Sequence, residues 1–108
     1  MATIDDFLTL DVRIGTIVQA APLEKARKPA ITLEIDFGDI GIKRSSAQIT
    51  HKYSPEELVG RQVVGIVNFP PRKIVGFSSE VLVLGGVEGE EVTLLAPDEH
   101  VKNGTPVA

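Results

Sequence analysis

A chain of 108 residues that is 43% hydrophobic and 24% charged has the balance of one compact globular unit and none of the bias of a disordered or low-complexity segment. Cysteine is absent, which removes disulfide and thiolate chemistry, and no apolar run approaches the ~18 residues that a membrane-spanning helix requires. The formal net charge of −4 weighs against a dedicated nucleic-acid binder, yet it sums unlike parts: residues 43–79 carry six bases and two acids, residues 80–108 one base and six acids.

The first residues, MATIDDFLTL, place acids where a secretory leader would be positive, so a cytoplasmic protein without membrane insertion is expected. Thr3 ahead of IDDF predicts a short capped helix. From Leu10 to Val18, the apolar Leu10, Val12, Ile14 and Val18 alternate with Asp11, Arg13 and Gln19, the period of a half-buried strand. Residues 20–30 hold two prolines and three bases and predict a loop carrying Lys25, Arg27 and Lys28.

A second strand follows in Ile31, Leu33, Ile35 and Phe37, and Gly38 to Gly41 turns the chain into a third. That third strand, Ile42 to Ile49, departs from simple alternation: Lys43, Arg44, Ser45, Ser46 and Gln48 put polar groups on both sides of the pleat. Such a strand is an edge or a working surface. Ser54, Pro55 and two glutamates predict a short helix ended by Gly60.

Gln62 to Phe69 is nearly continuous in apolar residues and predicts a fourth strand buried on both faces, by the core and by a second subunit. Pro70 and Pro71 end it. The next loop sets Arg72 and Lys73 beside Ile74, Val75 and Phe77. Val81–Leu84 and Val92–Leu95 predict further short strands around a turn at residues 85–89, and the last residues are loop-rich.

Strands at this spacing, with one helix between the third and fourth, predict an all-β, five-stranded OB-fold barrel formed by residues 1–108 as a single domain. In that architecture the second and third strands make the binding face, rimmed by the loops after strands one and four. Lys25, Arg27 and Lys28, then Lys43 to Gln48, then Arg72 and Lys73 would converge there.

Catalytic chemistry finds no support. Gly38, Gly41 and Lys43 lack P-loop spacing. Ser45, Ser46 and His51 have no orienting acid in the pattern, and His51 with His100 makes no metal pair, so neither a cofactor nor a metal is expected. Basic residues suit phosphate, but base stacking needs exposed rings. Phe37 and Phe69 lie in core patterns, which leaves Phe77 and Tyr53. Peptide binding needs apolar surface instead, and Ile74, Val75 and Phe77 are its candidates.

The run IGIKRSSAQITHKYSPEELVGRQVVGIVNFPPRKIVGFSSEVLVLGG closely resembles the CsaA family of export-related chaperones, and the resemblance extends from IDDFLTLDVRIGTIV to PDEHVKNGT. That family is similar to the tRNA-binding domains of some methionyl- and phenylalanyl-tRNA synthetases. The resemblance implies a homodimer that contacts unfolded or precursor proteins and the SecA export motor, with tRNA as the alternative ligand. Carried over by position, Asn68, Pro71, Arg72, Lys73, Gly76 and Ser79 match the loop the wider superfamily uses for tRNA. Where that superfamily continues with a small residue and methionine, this chain reads Val81-Leu82, and the larger Val81 is expected to crowd the site.

Overall fold

In the computed structural model, which describes residues 1–23 and 27–108, the chain runs α1 (Ile4–Leu8), β1 (Val12–Leu23), β2 (Ala30–Asp36), β3 (Ile42–Ala47), α2 (Pro55–Leu58), β4 (Gln62–Ile66), β5 (Arg72–Ile74), β6 (Phe77–Ser79), β7 (Leu82–Val83), β8 (Gly85–Glu88) and β9 (Glu91–Leu94). The helices start where their caps predict. The Thr3 N–H donates to Asp6 Oδ2 at 2.8 Å and the Ser54 N–H to Glu57 Oε1 at 3.1 Å, each closing an otherwise unsatisfied first turn. Among the described residues no helix is long and apolar enough to cross a membrane.

Five strands form one sheet in the order β3-β2-β1-β4-β7, and every neighbouring pair is antiparallel. Four antiparallel steps leave its two edge strands, β3 and β7, parallel to each other. The sheet curls until these edges meet at one short seam. There the Glu80 N–H donates to the Arg44 carbonyl at 2.7 Å, and the Ser45 hydroxyl donates to the Val81 carbonyl at 2.6 Å. The Arg44 N–H donates to Glu80 Oε1 at 3.0 Å and the Ser46 N–H to Ser79 Oγ at 3.2 Å. The expected five-stranded barrel is thus a curled half-barrel stitched largely by side chains.

Alternation in β2 sends Ile31, Leu33 and Ile35 inward, where they meet Ile17, Phe37, Ile49, Leu58, Val63 and Val81. Each fully buried side chain of this kind contributes ~1.5–3 kcal/mol. Val81 fits because Gly65 faces it: a Cβ on Gly65 would stand 2.7 Å from a Val81 methyl.

Three expectations need correction. β1 passes through the predicted loop start and continues to Leu23. The core-facing residues of this stretch are Gly15 and Ile17, so Val18 alternates outward and is 43% exposed, and a bulge between Ile17 and Gln19 shifts the register beyond it. β4 ends at Ile66 rather than Phe69. Past it the Val67 N–H pairs with the Asp11 carbonyl at 2.9 Å, and Phe69, assigned to the core from its pattern, is 41% exposed.

The last residues form a strap rather than a free loop. β2 pairs with β1 only from Thr16 onward, and the remaining edge of β1 is taken by the C-terminal segment, with Ile14 N–H on the Thr105 carbonyl (3.0 Å), Gly104 N–H on the Ile14 carbonyl (2.7 Å) and Val107 N–H on the Val12 carbonyl (2.8 Å). Gln62, buried at the start of β4, locks this strap: its amide nitrogen donates to the Val101 carbonyl at 2.7 Å and to Asn103 Oδ1 at 3.2 Å, and its oxygen accepts the Val101 N–H at 3.0 Å.

Candidate functional site

Beyond the seam, β3 and β7 splay apart. The gap is a groove of about 810 Å³, in the upper part of the ~300–1,000 Å³ range usual for ligand pockets. One wall is Ser46, Ala47, Gln48 and Ile49; the other is Leu82, Val83, Leu84 and Gly85; Val87, Val92 and Leu94 extend the second wall, and Arg72, Ile74 and Val75 overhang the opening.

Strand periodicity decides which predicted residues reach it. In β3, Arg44 and Ser46 share one face, and Lys43 and Ser45 the other; Gln48 follows just past the end of the strand. Ser46 and Gln48 line the groove. Ser45 does not: it is wholly buried with its hydroxyl on the Val81 carbonyl, so it belongs to the seam and is out of a ligand's reach. Its parity with the buried Ile49 was the available sequence signal. Lys43 and Arg44 stand outside the groove lining, and Arg44 packs its guanidinium over the Phe77 ring, 4.2 Å from the centroid.

In β5, Arg72 and Ile74 face the groove while Lys73 alternates away from it. Arg27 and Lys28, from the segment after β1, complete the rim; Lys25, expected beside them, lies outside the described residues. Every charged residue described in the lining is therefore basic. Ser79 acts at one remove, its hydroxyl accepting the Ser46 N–H. Asn68 is elsewhere: its amide donates to the Thr9 carbonyl and accepts the Asp11 N–H, both at 2.9 Å, fastening the segment after α1 to the end of β4.

Neither ring expected for base stacking is available. Phe77 is buried beneath Arg44. Tyr53 is partly buried, its hydroxyl accepting the Leu94 N–H at 3.0 Å, and Arg61 covers the ring at 5.4 Å. Of the three residues expected to form an apolar surface, Val75 is exposed, Ile74 is half-buried in the groove wall and Phe77 is buried. Sequence reasoning missed Leu82 and Val87 as groove residues, 47% and 74% exposed, because Leu82 lies in a segment that reads as a core strand and Val87 in one that reads as a turn. Val81 does not crowd the groove, since it points into the core against Gly65; Leu82 is the residue that faces the groove.

β5 and β6 form a hairpin whose two central residues are Val75 and Gly76, at φ 49° and 78°. Left-handed geometry at both positions is what a tight two-residue hairpin demands, and it selects glycine or asparagine. A valine there costs ~1–3 kcal/mol. The exposed, strained Val75 sits on the groove's lip.

A family model described as a putative tRNA binding domain matches residues 12–106. The structure superposes on the chaperone CsaA of Bacillus anthracis str. Ames with a TM-score of 0.96 at 58% identity, covering 100% of this chain and 99% of that one. The CsaA chaperone protein of Picrophilus torridus gives 0.93 at 47% identity, with 100% of both chains covered. A methionine–tRNA ligase of Methanococcoides burtonii is 37% identical over 106 residues, 97% of this chain but 15% of the ligase. The chain thus spans about 15% of the length of the curated ligases it matches.

Proposed function

This chain belongs to the putative tRNA binding domain family, within its CsaA group, and from that premise we propose that it is a binding protein of the chaperone type. It holds unfolded or precursor polypeptides in the groove between β3 and β7. It acts as a single-domain homodimer in the cytoplasm, in support of export through a SecA-type motor, and no catalytic step belongs to it. The residues assigned to the ligand are Ser46, Gln48, Arg72, Ile74, Val75 and Leu82, with Arg27 and Lys28 on the rim.

The observation that carries this is the composition of the groove. Its walls are largely aliphatic, with Val75, Leu82 and Val87 exposed, and among the described residues no aromatic side chain lines it. Aliphatic surface accepts varied apolar side chains, whereas single-stranded RNA gains about 1–3 kcal/mol from each base it stacks on a ring. The relatives' names support both ligands alike. The basic rim favours the second reading, in which the same face holds tRNA through its phosphates.

Titration with an unstructured precursor peptide and with tRNA over a range of salt separates the two. Peptide binding is expected to survive added salt and to weaken about fivefold or more in Leu82→Ser, from loss of buried apolar area; Arg72→Glu is expected to weaken tRNA more than peptide. Tight tRNA binding with a steep salt slope, and no peptide binding, would overturn the polypeptide reading. A mass of one chain by light scattering at every concentration would overturn the dimer.

A further inference from the structure

We propose that the groove takes its polypeptide as an added β-strand, bonded through the main chain to the outer edge of β3. This inference rests on the polypeptide reading and adds the mode of recognition. Three observations support it.

First, β3 is an edge strand of the sheet, and its free side can be followed residue by residue. The N–H groups of Arg44 and Ser46 point away from β2, toward Glu80 and Ser79. Main-chain groups alternate sides along a strand, so the Ser46 carbonyl lies on the same outer side, and Gln48, the first residue past the end of β3, carries that line on along the groove wall. No strand neighbours them there.

Second, the facing wall is the other edge of the same sheet. The Leu84 N–H is committed to the Val64 carbonyl of β4 at 2.8 Å, so alternation directs the main-chain groups of Val83 into the groove. A guest strand would find polar main chain on both sides, while its side chains, which point alternately up and down, would meet aliphatic residues such as Ile74 and Leu82. This is strand addition, in which main-chain bonds give affinity without demanding a particular sequence.

Third, the described charges lining the groove are Arg27, Lys28 and Arg72, with no acid among them. Charge complementarity therefore selects an extended segment whose flanks are acidic. The occupant is a polypeptide strand of alternating aliphatic residues with acidic flanks.

The test uses the intact protein and a short acetylated peptide alternating valine and threonine, with glutamate near each end. Two analogues are N-methylated on alternate residues, one in each register, so that each loses the donors of one strand edge only. One register is expected to weaken binding about tenfold or more, from the loss of several main-chain bonds, and the other clearly less. Full affinity in both analogues would overturn strand addition while leaving polypeptide binding intact. Failure of the unmethylated peptide to bind would overturn the polypeptide reading itself.

On the protein side, Gln48→Pro removes the edge donor and Gln48→Ala only the side chain. The proline variant is expected to bind the unmethylated peptide about tenfold more weakly than the alanine variant. Equal binding by two folded variants would count against the edge. If the proline variant does not fold, the methylated pair on the unaltered protein still decides. Slowed hydrogen exchange at the Gln48 amide with tRNA, and with none of the peptides, would make the groove an RNA site and end the inference.

Discussion

The two edges of β1 and β3 are treated in opposite ways. Along the first half of β1 the open edge is covered by the C-terminal strap, and the polar groups beneath it are satisfied: Gln62 uses both ends of its amide, and Asn103 Oδ1 accepts from Thr16 Oγ1 at 2.6 Å as well as from Gln62. Past Ser46, where the seam ends, the edge running out of β3 is left open beside exposed aliphatic side chains and a strained hairpin tip. The same barrel seals one edge and exposes another. Stability is therefore concentrated at the strap and binding capacity at the groove, and the two should be separable by mutation.

The strongest attempt to break that separation is Gly104→Ala. Gly104 has φ +89°, and a Cβ there would stand 2.4 Å from the Phe37 carbonyl oxygen, a backbone atom that cannot swing aside. Left-handed geometry and the clash together are expected to cost ~2–4 kcal/mol in urea unfolding. Groove affinity, measured where the variant remains folded, should stay within about twofold, as expected for distant sites. A comparable loss of peptide binding would mean that strap and groove are coupled.

A smaller effect on the same side is expected from Gln62→Ala. It leaves the half-buried Val101 N–H and carbonyl without their amide partner at a cost of ~1–3 kcal/mol, readable as a shift in the denaturation midpoint at unchanged slope. A loss below about 0.5 kcal/mol, the scale of an ordinary surface change, would show that water replaces the amide and that this edge is less sealed than its hydrogen bonds indicate.

The smallest effect carries the opposite sign. Val75→Gly is expected to relieve the left-handed valine and stabilise the protein by about 1 kcal/mol, while peptide affinity falls as the aliphatic lip is lost. Unchanged stability would show that the hairpin carries no strain; unchanged affinity would remove Val75 from the ligand's contacts.

Local chemistry made much of this fold legible. The caps at Thr3 and Ser54, the turn at Gly38 to Gly41 and the inward Ile31, Leu33 and Ile35 all depend on neighbours within a few positions. The extent of β1 did not: the bulge at Val18 and the continuation to Leu23 are fixed by pairing with β2. The basic segment around Arg72 was visible as composition, yet the exclusion of Lys73 needed the register of β5 with β6. Asn68 matched a motif by position, but only the fold shows its amide engaged by Thr9 and Asp11. The apolar walls were hardest to place, because Leu82 looks like a core residue and Val87 like part of a turn until the curled sheet is seen to leave a gap.

The seam itself has a consequence for how this scaffold can diversify. A ladder of main-chain bonds changes length only when a strand shifts register, which would turn every side chain to the wrong face. Here the junction between β3 and the segment entering β7 leans on the side chains of Ser45, Ser79 and Glu80, and single substitutions at the half-buried Ser79 and Glu80 could lengthen or shorten it with the core untouched. Slot length is thereby decoupled from barrel integrity, giving descendants of one barrel a way to drift between narrow and wide ligands without passing through an unfolded ancestor.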